Sequence, residues 1–138
     1  MYNTRMLHGR AKSKDGRWYE GVPCVTQYES NKEAGQKIKY LRLPNRKLVE
    51  VYSKTFTLWT GLKDMQGTKI FDGDIVEKRN QYIRVVEYDM SKAAYVTRVK
   101  HYDEDLRKTE YLAKDADDGM LYDVLVIGNV FDDKGLLR

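Results

Sequence analysis

Three glycines, Gly61, Gly67 and Gly73, fall at turn spacing within residues 60–76 and separate short apolar pairs, Ile70-Phe71 and Ile75-Val76. Glycine weakens helices and accepts the positive φ of a tight turn, so this spacing favours short strands joined by corners. In Ile70-Phe71-Asp72-Gly73-Asp74-Ile75-Val76 the acidic turn lets Phe71 and Ile75 point inward together. Its carboxylates can accept hydrogen bonds from nearby backbone amides.

The rest of the chain reads the same way. β-branched and aromatic residues recur in runs of four to eight bounded by Gly, Asn, Asp and Pro, and helix signals are sparse. Lys14-Asp15-Gly16-Arg17 marks a first hairpin leading into Trp18–Val22, and Pro23 places the continuation on a sheet edge or at a bulge. Residues 30–35 suit either a loop or a short helix capped by Asn31. Ile38–Leu43 and Leu48–Tyr52 are expected as strands across Pro44-Asn45-Arg46-Lys47, and Thr55–Thr60 as a strand buried on at least one side. From Ile75-Val76-Glu77 at the end of the signature the chain is expected to run through 82–88 and 95–102 as a meander, to which 106–112 can add another strand, and 122–131 is the strongest strand, with a bulge or close packing at Gly128.

An apolar pair, Gly-Asp and an aliphatic pair also open the strands of many small SH3-like barrels, and about five short strands follow here. The expected fold is therefore mainly β, with N-terminal β hairpins packed with an SH3-like small barrel over about 68–131. The alternative is α+β with one or two short helices. A length of 138 residues suits one domain, with an N-terminal β portion over about 1–59.

Composition bounds the function. Apolar residues make up 41% and charged residues 33%, and eleven Tyr offer buriable surface, which argues for a folded chain. The longest uninterrupted apolar run, Val124–Ile127, is far below the roughly 20 residues of a membrane helix. The first ten residues lack a secretory apolar core, so a cytoplasmic location is expected. The lone Cys24, between Pro23 and Val25, is expected as a small buried hydrophobe.

Catalytic patterns are missing from the sequence. Asp64, Asp72 and Asp74 do not follow calcium-loop spacing, nor do Asp115, Asp117 and Asp118, and all six are read as turn or loop residues. No serine lies in a Gly-x-Ser-x-Gly elbow, His8 and His101 have no zinc-spaced partners, and no phosphate-cradling glycine loop occurs. The expectation is no enzyme, no cofactor, no metal and no small-molecule substrate.

Net charge is +4, but residues 1–59 hold 12 Lys/Arg against 5 Asp/Glu and residues 60–138 hold 13 against 16. A basic half can steer an anionic partner. Arg10, Lys12, Lys14 and Arg17 around the first hairpin, with Lys78, Arg79 and Arg84 beside Tyr82, are therefore the candidate nucleic-acid-binding residues. The competing readings are a non-enzymatic module that binds protein through sheet edges and exposed tyrosines, and a homo-oligomer driven by the charge split.

Three segments resemble the YopX family of phage and prophage proteins. They are Leu7-His8-Gly9-Arg10 followed by Gly16-Arg17-Trp18-Tyr19-Glu20-Gly21, then Thr60–Val76, then Val126-Ile127-Gly128-Asn129-Val130-Phe131 with Leu136-Leu137. Asp133-Lys134-Gly135 stands where the family's tail usually carries a proline, which puts the short terminal helical turn in question. The resemblance implies a phage or prophage origin, a β-rich fold and a bacterial cytoplasmic setting. It implies no reaction and no catalytic residues, because the matching positions are those a fold needs.

Overall fold

The computed structural model describes residues 8–24, 38–78, 82–99, 109–112 and 119–137. Contact clustering divides the chain into two compact units, Met1–Trp59 and Thr60–Arg138. The fold is mainly β, and its helical content among the described residues is two single 3-10 turns, Ser53–Thr55 and Lys134–Leu137. The possible helix over 30–35 lies outside the described residues.

In the first unit, β1 (Gly9–Lys12), β2 (Trp18–Cys24), β3 (Tyr40–Arg42) and β4 (Leu48–Glu50) pair antiparallel in the order β4-β3-β2-β1. The start of β5 (Thr57–Lys63) runs beside β1, with Gly9 opposite Leu58 and Arg10 opposite Thr57. Side chains alternate across such a sheet. Ala11 and Leu41 therefore face one way and are fully buried with Val51, and Tyr19, Val49 and Phe56 pack against them. The opposite face carries Arg10, Lys12, Trp18, Glu20, Val22, Arg42 and Leu48, as the registers Arg10↔Glu20, Lys12↔Trp18, Val22↔Arg42 and Arg42↔Leu48 require.

Pro23 sits in the part of β2 that extends past the last β1 pair, Gly9↔Gly21, so its missing donor leaves no β1 residue unpaired. Three local expectations need correction. Cys24 is half-buried rather than buried. Ser53–Thr55 is a 3-10 turn rather than the start of a strand, because Thr55 turns its hydroxyl onto the Tyr52 carbonyl at 2.7 Å and accepts the Lys12 amide at 2.8 Å. β5 has no fully buried residue, and it continues past Thr60 through Gly61 (φ +87°) to Lys63.

In the second unit, the end of β5 precedes β6 (Lys69–Phe71), its sheet neighbour. β7 (Asp74–Lys78), β8 (Tyr82–Asp89), β9 (Ala94–Val99), β10 (Thr109–Tyr111) and β11 (Val124–Asn129) form a five-stranded antiparallel sheet ordered β10-β9-β8-β7-β11. Val76, Val86 and Val124 face a core shared with Ile70, Leu112 and Leu121. Ile75, Val85 and Val96 lie on the other face and are buried too, which is why the apolar residues come in adjacent pairs instead of alternating with polar ones. β11 shifts register between Val126 and Gly128. A Cβ on Gly128 would come within 2.7 Å of Asp133 Oδ2, so this glycine marks both a bulge and a close approach.

Turn aspartates hold this unit's corners. The Asp64 carboxylate is 1% exposed. Its Oδ1 accepts the amides of Gln66 and Thr68 at 2.9 Å each, and its Oδ2 accepts the Val126 amide at 2.9 Å. Asp74, fully buried, accepts the Phe71 amide at 2.7 Å across the Asp72-Gly73 turn, where Gly73 has φ +86°. Asp72 itself is half-buried, and burial, with a smaller push from the Glu87 carboxylate, holds its carboxyl above the ordinary carboxylate range. The C-terminal 3-10 turn forms without the proline. Asn129 Oδ1 accepts the Phe131 and Asp132 amides, Asp133 accepts the Asn129 amide at 3.1 Å, and the Leu136 amide closes onto the Asp133 carbonyl.

Candidate protein-interaction surface on the β3–β4 hairpin

Three tight hairpin loops share one hydrogen-bond pattern. In each, the residue before the loop donates to the residue after it, and the last loop residue donates back: Ser13 to Arg17 with Gly16 to Ser13, Leu43 to Lys47 with Arg46 to Leu43, and Asp64 to Thr68 with Gly67 to Asp64. A three-residue loop of this kind puts its last residue in the left-handed region, where glycine is favoured. Gly16 and Gly67 are there at φ +83°, and Arg46 is there at φ +69°. Pro44 presets the first loop position and Asn45 Oδ1 accepts the Lys47 amide at 3.0 Å, so the neighbours hold Arg46 in a backbone it would otherwise avoid. Among the described residues Ala93, in the β8–β9 turn, is the other non-glycine with positive φ.

Beside this loop lies an open depression of ≈ 550 Å³ lined by Arg42, Leu43, Pro44, Arg46 and Leu48. Leu48 is 57% exposed, on the strand at the end of the β4-β3-β2-β1 order. Residues 39–54 contain five Lys/Arg and one acid, Glu50, which Lys14 holds at 3.0 Å. The side chains of Arg42, Arg46 and Lys47 make no hydrogen bond or ion pair among the described residues.

The cations singled out from sequence are placed differently. Arg10 lies over the Trp18 ring at 5.0 Å and Lys12 over the same ring at 5.6 Å, so cation–π contacts cover that indole. His8 approaches Glu20 at 3.1 Å and meets Trp59 edge-on at 5.9 Å. Lys14 is bound to Glu50, and Arg17 closes the first hairpin with its side chain exposed. In the second unit, Lys78 contacts Glu110 at 2.9 Å and Asp123 at 3.8 Å. Arg84, 3% exposed, donates from Nε to Thr97 Oγ1 at 2.9 Å and lies 3.7 Å from Glu110, so its guanidinium is fixed inside the sheet rather than offered to a phosphate. Arg79 lies outside the described residues. Structure thus groups Arg10 with Lys12 and Lys78 with Arg84, while the cations lacking partners among the described residues include Arg42 and Arg46, which sequence reading passed over. The signal that points to them is the basic Pro-Asn-Arg-Lys turn, with arginine at the place a hairpin reserves for glycine.

Among the described residues no group of three or more His, Cys, Asp or Glu is arranged to hold a metal ion. Among the same residues no helix is long and apolar enough to cross a membrane.

Two small antiparallel β units, the second cornered by the buried Asp64 and Asp74, define a mainly β protein whose sequence signature serves its turns. The chain belongs to the YopX family: the pattern of the YopX protein matches residues 10–138, nearly its whole length. None of the curated proteins compared with it matches.

Proposed function

We propose that this YopX-family chain is a non-enzymatic module of phage or prophage origin that binds another protein in the cytoplasm of a bacterial host. The observation that carries the reading is the β3–β4 hairpin, where two exposed arginines with no side-chain partner among the described residues flank the exposed Leu48. An apolar centre rimmed by arginines is the usual composition of a protein-binding patch. Family membership supports the phage setting. For the Thr60–Arg138 unit, five strands and the return of β11 to β7 support the SH3-like barrel reading.

A second reading, nucleic-acid binding, draws on one observation: Arg10, Lys12 and Trp18 share a face of the first sheet. Aromatic rings between cations can stack bases, but here the Trp18 ring already carries both cations. The deciding experiment compares the tagged protein with its Arg42→Glu/Leu48→Asp variant in extracts of infected cells. A protein retained by the first and lost from the second is expected. Identical retained sets, together with a salt-sensitive gel shift of single-stranded DNA abolished by Arg10→Glu/Lys12→Glu, would replace this reading with the second.

A further inference from the structure

We draw no further inference here: the strongest candidate, the side-chain cluster of Asp72, Glu87, Tyr88 and Tyr95 beside the Asp72-Gly73 corner of the second unit, is an acidic patch with no second feature among the described residues to show what it would hold.

Discussion

The two units use their charged side chains in opposite ways. In the Thr60–Arg138 unit, Arg84, Lys78 and Arg98 are tied down: Arg84 to Thr97 and Glu110, Lys78 to Glu110 and Asp123, and Arg98 to Glu87 at 2.7 Å and to Asp89. The β3–β4 hairpin of the Met1–Trp59 unit has exposed arginines and, among the described residues, no acid that holds them. The contrast follows from local supply. Residues 60–138 carry more acids than bases and residues 1–59 far fewer, so whether a cation becomes a fastener or stays available depends on what the registers place beside it.

Four perturbations break or sharpen that contrast. The largest is Asp64→Ala, which leaves three backbone amides without their buried charged acceptor; a loss of about 3 kcal/mol is expected from urea unfolding, centred on the second unit. Next is Arg84→Ala, at about 2 kcal/mol, because Glu110 is partly solvated and its side of the contact is screened. Smaller, and of opposite sign, is Arg46→Gly. Removing a left-handed arginine gains more than glycine's extra chain freedom costs, so the variant should be about 0.5 kcal/mol more stable by the same measurement.

The smallest is a pH effect at Asp72. Its folded carboxyl lies above the ordinary value, so the folded state binds the proton more tightly than the unfolded chain does. Its favourable share of stability is fully present below the ordinary carboxylate range and is lost as pH rises through the raised value. Asp72→Asn should therefore match the wild type in acid and exceed it at neutral pH. Urea midpoints that instead diverge in acid would remove burial as the cause.

Turn chemistry made much of this fold readable from residues. Asp15-Gly16 and Asp72-Gly73 each announced a corner, and Gly128 announced the register shift in β11, because few other residues satisfy those backbones. Family membership was readable from three segments rich in glycine and apolar residues, and the family match over residues 10–138 covers nearly all of them. Charge pairing was not readable. Arg84 and Lys78 look like surface cations beside an aromatic strand until β10 brings in Glu110, which is 32 positions from Lys78. Arg46 was hidden differently, since Pro44-Asn45 reads as an ordinary turn and nothing in the letters says that the next residue must be left-handed. Thr55 was misread as strand because its β-branched side chain suits one, and only the Tyr52 carbonyl and Lys12 amide show why it turns instead.

Asp64 also sets an order of events during synthesis. Its third donor, the Val126 amide, is made 62 residues later, whereas β1 to β4 all arise before residue 60. While the ribosome works through that interval, the second unit holds a carboxylate waiting for its last amide, and β1 to β4 have all been made. A chain truncated before β11 is expected to open to proteases more readily than the full one, since it lacks that amide and the strand paired with β7.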